Sequence, residues 1–314
     1  LSLVRYGSYK ETSDSVEVVA VQPNIDAYTG KHGGMPQREQ DSLLFSLIDS
    51  KITPATRYVI TPETYTYNFN LDAPCDNATY CAVKGYIAAH PGVEFLLGSL
   101  TYRVYKSKAN ASPVARKLGN GLWYDSFNSA LGVGASDNVE CYHKSKLVPG
   151  VEIIPFYKSL PVLGKIASAF GGALSGYASQ DDLTIIHSDD GTGIGIMICY
   201  ESVYGDYSRK TALLGSQFNA VITNDGWWGD TPGYRQHFRF ASLRAIETRR
   251  DVVHVANTGI TGFIDQRGDV VSRTGWWEPV ALRGNVNLNS EKTFFTLHGD
   301  IIGRLCCFLF SLLA

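Results

Sequence analysis

A cysteine, a glutamate and a pair of lysines stand at the ends of apolar, strand-like runs, where an α/β sheet usually presents its reactive groups. Gly193-Ile194-Gly195-Ile196-Met197-Ile198 delivers Cys199, followed by Tyr200 and Glu201. Tyr58-Val59-Ile60-Thr61-Pro62 delivers Glu63, with Pro62 forcing the chain out of the sheet. Tyr142-His143 leads into Lys144-Ser145-Lys146 and then Leu147-Val148-Pro149-Gly150-Val151-Glu152. A thiol attacks only once a base takes its proton or a nearby positive charge stabilises the thiolate. A carboxylate in a partly desolvated pocket can be that base. A fixed ammonium would steady both the thiolate and the oxyanion of a tetrahedral intermediate. Taken singly, each has a plain alternative: Cys199 an inert core thiol, Glu63 a solvated loop residue, the lysines two solvated turn residues.

Such groups need elements to hold them. Short β-branched runs recur with helical stretches between them, the layout of an α/β protein. Strands are expected at Val16 to Val21, Tyr58 to Ile60, Glu94 to Leu100, Phe127 to Gly134, Gly193 to Ile198, Ala220 to Thr223 and Val252 to Ala256. Gly262 to Ser272 reads as a hairpin turning at Gln266-Arg267-Gly268. Leu43, Leu44, Leu47 and Ile48 fall at helical spacing within Gln37 to Ser50, and Gly233 to Arg250 is a second clear helix. No repeat or Pro/Gly/Ser-rich linker interrupts the pattern. One domain is therefore expected over about 15 to 290, with tails at 1–14 and 291–314. Ile153 to Gly176 is apolar, glycine-punctuated and without strict period, which makes it a candidate lid.

Composition narrows the classes. A chain of 314 residues with 44% hydrophobic residues supplies a sizeable core and excludes disorder. Lys+Arg 28 against Asp+Glu 30 gives a net charge of −2, which offers nothing to a nucleic-acid backbone. None of the six cysteines makes a C-x-x-C pair and none of the seven histidines an H-x-x-x-H pair, so no metal is expected. Cys75 and Cys81 flank Asp76 to Tyr80, read as a polar loop, and form either a small ring or two free thiols. The chain opens on Leu1 without a signal-peptide pattern, so an upstream segment or a cleavage is expected before it. Leu305 to Ala314 is apolar but only about half the ~20 residues that span a bilayer. It is a membrane helix cut short or a C-terminal helix packed on the core.

Glu63, Tyr142-x-Lys144 with the downstream L-V-P and Glu152, and Ile198-Cys199-Tyr200-Glu201 together resemble the carbon-nitrogen hydrolase (nitrilase) superfamily. Thr223-Asn224-Asp225-Gly226-Trp227-Trp228-Gly229, Gln236-His237-Phe238, Arg244-Ala245-Ile246-Glu247 and Asn257-Thr258-Gly259-Ile260-Thr261-Gly262 look like its apolipoprotein N-acyltransferase branch. The resemblance covers about residues 15 to 275. It implies a four-layer α-β-β-α sandwich and a triad of Cys199 as nucleophile, Glu63 as general base and Lys144 as oxyanion-stabilising cation. Glu152 would be a further active-site carboxylate, with Tyr200 and Glu201 flanking the nucleophile. The chain has Leu-Val-Pro-Gly-Val-Glu where the family usually has L-V-P-F-G-E, keeping the spacing from Lys144 to Glu152. It also lacks the multi-pass membrane region that normally precedes the domain, which suggests a fragment of a longer protein.

The implied reaction needs no cofactor and no metal. An acyl chain would pass from a phospholipid through a Cys199 thioester to the amine of a diacylglyceryl-cysteine on an apolipoprotein, at the periplasmic face of a bacterial inner membrane, in a monomeric enzyme. Phe156, Leu160, Leu163 and Phe170, with Trp227 and Trp228, would cover acyl chains or meet headgroups; otherwise they are ordinary packing residues. Two other readings stand beside this one: a soluble amidase or nitrilase with the same triad, and a catalytically silent domain that binds lipid or a partner.

Overall fold

The computed structural model describes residues 2–12, 14–26, 34–153 and 176–313. Phe156, Leu160, Leu163 and Phe170 lie outside the described residues. In the first sheet β1 (Ser15–Gln22) and β2 (Thr56–Ile60) run parallel; β3 (Thr66–Asn70) and β2 both pair in parallel with β4 (Glu94–Tyr105). The short β5 (Arg116–Lys117) and the long β6 (Trp123–Val133) follow, β6 returning antiparallel along β4 from Trp123 opposite Tyr105 to Val133 opposite Phe95. Next to β6 lies β7 (Val139–His143). The second sheet takes β8 (Ile186–His187), β9 (Gly193–Ile198), β10 (Phe218–Thr223), β11 (Val252–Ala256), β12 (Gly262–Ile264) and β13 (Val270–Arg273) as neighbours in chain order, with β9, β10 and β11 parallel. Finally β14 (Val280–Asn287) closes the first sheet antiparallel to β1.

Alternation along the strands builds the layers, because successive side chains point to opposite faces. Val18 and Ala20, Tyr58 and Ile60, Leu96 and Ala130 face a core shared with Ile194, Ile196 and Ile198 of the second sheet. Their neighbours Val19, Val21, Val59, Phe95, Leu97 and Leu131 pack instead on Leu44 and Ile48 of a helix at Gln37–Asp49 and on Val83 and Ile87 of a helix at Ala78–Ala89. Beyond the second sheet, helices Gly205–Leu213 and Pro232–Thr248 contribute Tyr207, Tyr234, Phe238, Ala241 and Ala245. Both sheets are thus buried on both faces, the reason their strands read as nearly continuous apolar runs. This is the expected α-β-β-α sandwich.

Three differences from the sequence expectation have simple causes. Strand β4 runs on to Tyr105 because Thr101, Arg103 and their neighbours pair with β6 although they no longer form an apolar run. Strand β14 was not expected, since Val280-Ala281-Leu282-Arg283-Gly284-Asn285 is too polar to stand out as a strand away from β1. The segment between Cys75 and Cys81 is no polar loop but a 3₁₀ turn running into the helix Ala78–Ala89. Asn77 caps that helix, its side chain accepting from the Tyr80 N–H at 3.0 Å, and capping chemistry resembles loop chemistry in sequence. Both thiols are free, with Cys81 Sγ 3.1 Å from the Cys75 carbonyl oxygen.

Each tail carries a helix, Ser2–Ser8 at the start and Phe294–His298 and Ile301–Leu313 at the end. None of the residues of Ile301–Leu313 is buried, so it is not packed on the core. Among the described residues no helix is long and apolar enough to cross a membrane.

Candidate active site

Glu63 leaves the end of β2 on a turn pressed hard against β4. The Thr61 N–H donates to the Leu96 carbonyl at 2.9 Å, and the Gly98 N–H to Thr61 Oγ1 at 3.0 Å. A Cβ on Gly98 would lie 2.0 Å from the Pro62 carbonyl oxygen, so only glycine admits this close approach. Lys144 follows the last residue of β7, its N–H donating to the Asn128 carbonyl on β6 at 2.8 Å. Glu152 curls back beneath it, with Oε2 accepting from the Val148 N–H at 2.8 Å.

The three side chains meet in a buried cluster. Lys144, 1% exposed, sets Nζ 3.2 Å from Glu63 Oε1 and 2.9 Å from Glu152 Oε1. Asn128 Nδ2 donates to the same two oxygens at 2.6 and 2.9 Å, and the Asn224 N–H donates to Glu63 Oε2 at 3.2 Å. Buried charges are tolerable only when paired and hydrogen-bonded in this way. Burial alone would push the Lys144 ammonium down; Glu63, Cys199 and Glu152 reverse that and hold its pKa well above the ordinary lysine value. Lys146, the alternative two residues on, is exposed.

Cys199 opens a 3₁₀ turn, Cys199–Val203, directly beyond β9, with φ at +51°. Burial first and Glu63 second push its thiol well above the ordinary range; Asp225 adds to this, while Lys144 and a hydrogen bond from Thr223 pull the other way. The resting sulfur is therefore a thiol at neutral pH. To act as a nucleophile it would need a base, and Glu63 is the carboxylate that acts on it most strongly.

Glu201 ties the two halves of the site together. Fully buried, it accepts from Tyr142 Oη at 2.6 Å, the Ser145 N–H at 2.7 Å and the Lys146 N–H at 3.0 Å through Oε1, and from the Ile198 N–H at 2.8 Å through Oε2. Burial pushes its carboxyl up to about 7 despite those donors. The Lys144 loop and the Cys199 strand are thus fastened to one side chain. Glu201→Gln must aim its NH₂ at one of these sets of donors, so the variant should lose about 1–3 kcal/mol of stability. Urea unfolding of the two proteins checks this.

Of the remaining expected residues, Tyr200 is half-buried with its ring edge-on to Tyr204 at 5.2 Å. Trp227 and Trp228, 41% and 43% exposed, sit on the 3₁₀ turn Asp225–Trp228 at the surface rather than in the core. Sequence reasoning missed Asn128 and the backbone of Asn224. The available signal was weak: an amide inside the apolar strand Phe127 to Gly134. It also missed a buried group of Asp225, His237 and His254, whose ligand atoms lie within 4.8 Å of one another. The expectation of no metal cluster rested on local spacing, and these residues come from three different elements.

Residues 48–292 match the carbon-nitrogen hydrolase family. The chain belongs to that family. Among curated relatives, a protein of Chlorobaculum tepidum named apolipoprotein N-acyltransferase is 32% identical over 310 residues, covering 96% of this chain and 57% of the relative. One of the same name from Geobacter metallireducens is 34% identical over 197 residues, covering 62% and 36%. The chain spans about half the length of the first of these. Two solved structures share the carbon-nitrogen hydrolase fold. Nit3 of Saccharomyces cerevisiae, from branch 10 of the nitrilase superfamily, aligns with a TM-score of 0.57 at 12% identity, covering 89% and 92% of the two chains. XC1258 of Xanthomonas campestris, a CN-hydrolase superfamily protein with an arsenic adduct in its active site, gives 0.56 at 16%, covering 94% and 96%.

Proposed function

We propose that this domain is the catalytic part of an N-acyltransferase of lipoprotein biosynthesis, using Cys199, Glu63 and Lys144. The observation that carries the reading is the relationship to a protein named apolipoprotein N-acyltransferase along 96% of the chain. The paired Glu63, Lys144 and Glu152 beside Cys199 supply a chemistry that suits it.

Glu63 takes the proton of the Cys199 thiol as sulfur attacks an ester carbonyl of a phospholipid. Lys144 and the Tyr200 backbone N–H hold the oxyanion of the tetrahedral intermediate. Its collapse breaks the C–O bond, and Glu63 returns the proton to the departing lysophospholipid alkoxide. In the second half the amine of a diacylglyceryl-cysteine attacks the thioester. The C–N bond forms, the C–S bond breaks, and the amine proton passes through Glu63 to the sulfur. Glu152 and Asn128 keep Lys144 and Glu63 in register without entering the exchange. By resemblance, the reaction belongs at the periplasmic face of a bacterial inner membrane. Trp227 and Trp228 would meet the headgroups, and by sequence alone Phe156, Leu160, Leu163 and Phe170 would cover the chains.

The test offers phospholipid vesicles and a diacylglyceryl-cysteine peptide and reads the mass of the peptide. Amide product supports the proposal. Turnover of small amides without any transfer to the peptide replaces it with the hydrolase reading. Lys144→Ala should slow thioester formation by about 10²-fold, as expected on removing an oxyanion donor, while the exposed Lys146→Ala should stay close to the parent. Equal losses at the two lysines would move the oxyanion role away from Lys144.

A further inference from the structure

Behind the nucleophile, Asp225, His237 and His254 form a buried group whose protonation follows from its hydrogen bonds. His237 Nδ1 lies 2.9 Å from Asp225 Oδ1. Its Nε2 lies 3.0 Å from the Cys199 carbonyl oxygen and 2.9 Å from Ser202 Oγ, and Ser202 Oγ itself donates to that carbonyl at 2.8 Å. Carboxylate and carbonyl oxygens only accept, so the contacts to Asp225 and to the Cys199 carbonyl are both hydrogen bonds when each ring nitrogen of His237 carries a proton. Burial opposes the charge and Asp225 overcomes it, leaving the ring above the ordinary histidine value. His254 is the opposite case. Its Nδ1 donates to the Ile260 carbonyl at 2.9 Å, and burial together with the His237 charge pushes it down to about 4, so it stays neutral. An imidazolium has no lone pair for a cation, and in this state the group is not a metal site.

What the imidazolium does hold is the backbone of Cys199. At φ +51° this residue sits in the left-handed region that side chains with a β-carbon rarely adopt, and such a conformation persists only when its surroundings over-determine it. Two donors converge on its carbonyl oxygen, Ser202 Oγ and His237 Nε2, and the charged one is the stronger. We propose that His237, kept as an imidazolium by Asp225, is a positioning residue that pins the Cys199 carbonyl and so aims the thiol at Glu63 and Lys144. It acts through the peptide and never touches the acyl group. The inference rests on Cys199 being the nucleophile but not on which acyl donor or acceptor is used.

The full chain and three variants, His237→Gln, Asp225→Asn and His254→Gln, are acylated with p-nitrophenyl butyrate and with phospholipid vesicles, and Cys199 is alkylated with iodoacetamide. A misaimed nucleophile can lose about 10²-fold in rate. His237→Gln should therefore lower the kcat of acylation by about 10²-fold with KM nearly unchanged, and alter alkylation only a few-fold, because iodoacetamide does not require the aimed geometry. Asp225→Asn, nearly equal in volume, should reproduce part of the loss in a folded protein. His254→Gln, which removes a ring packed edge-on to His237 but not bonded to Cys199, should retain kcat. Equal losses of kcat, alkylation and melting temperature at His237 and His254 would reduce the group to core packing and overturn the proposal. So would an unchanged kcat in a folded Asp225→Asn. If only the nitrophenyl ester acylates Cys199, the phospholipid reading fails while the His237 effect is still measured. If neither donor acylates it in the parent protein, both proposals fall.

Discussion

Cys199→Ala should take up no acyl chain from phospholipid, while the parent protein gains one chain mass that hydroxylamine releases. The effect is expected to be complete because no other group in the cluster can replace a sulfur nucleophile. Glu63 and Glu152 are committed to Lys144 and Asn128, and Lys144 is held protonated by the carboxylates around it. Among the described residues, the remaining cysteines are remote in kind: Cys75, Cys81, Cys306 and Cys307 are exposed, and burial holds the Cys141 thiol up at about 12. Intact-mass analysis reads the result directly. An adduct that survives the substitution and maps elsewhere would remove Cys199 from the mechanism.

The second large effect should run in two directions at once. Glu63→Gln keeps the shape of the proposed base and removes its proton affinity, so thioester formation should fall by about 10² to 10⁴-fold. Alkylation of Cys199 by iodoacetamide at neutral pH should rise instead. Burial, Glu63 and Asp225 raise the thiol, while Lys144 and the Thr223 hydroxyl lower it. Taking away the Glu63 charge leaves the Lys144 ammonium less opposed, the thiol becomes more acidic, and more of it is thiolate at a given pH. In the parent, a raised thiol pKa means that alkylation should keep climbing as pH rises above neutrality. In Glu63→Gln the climb should begin at lower pH. A variant that loses both reactions together would point to a collapsed site instead of a missing base.

The Glu201 substitution belongs to a different class. Its five donors come from the end of β7, the Lys144 loop and the Cys199 strand, and none of them belongs to the proposed triad. Lost stability accompanied by lost activity is expected there. Glu63→Gln also gives up a buried pair with Lys144 and should lose stability too. The opposite response of iodoacetamide alkylation, not urea unfolding, therefore distinguishes the two.

Much of the scaffold was legible in the residues themselves. Val18 to Val21, Tyr58 to Ile60 and Ile194 to Ile198 are buried on both faces, so their apolar character runs unbroken and marks them as strands without knowledge of their partners. The helix at Gln37–Asp49 showed itself by Leu44 and Ile48, one turn apart on the face turned to the core. The motifs around Glu63, Lys144, Cys199 and Asn224 pointed to the family. Strand β14 and the helix after Asn77 were less visible, since edge pairing and capping use polar residues whose role depends on a neighbour.

Local periodicity reports which face of an element is buried, and a short motif reports which chemistry sits at its end; both are properties of a few adjacent residues. Which groups meet is set by register across two sheets. Asn128 reaches Glu63 and Glu152 because β6 returns along β4. Lys144 is buried while Lys146 faces solvent because Glu201, in the turn beyond β9 of the other sheet, grips the backbone of Ser145 and Lys146. His237 finds Asp225 and the Cys199 carbonyl only after the helix Pro232–Thr248 packs against the second sheet. A buried charge or a left-handed backbone becomes tolerable only where partners distant in the chain converge on it. That convergence is a property of the folded sandwich and of no single segment.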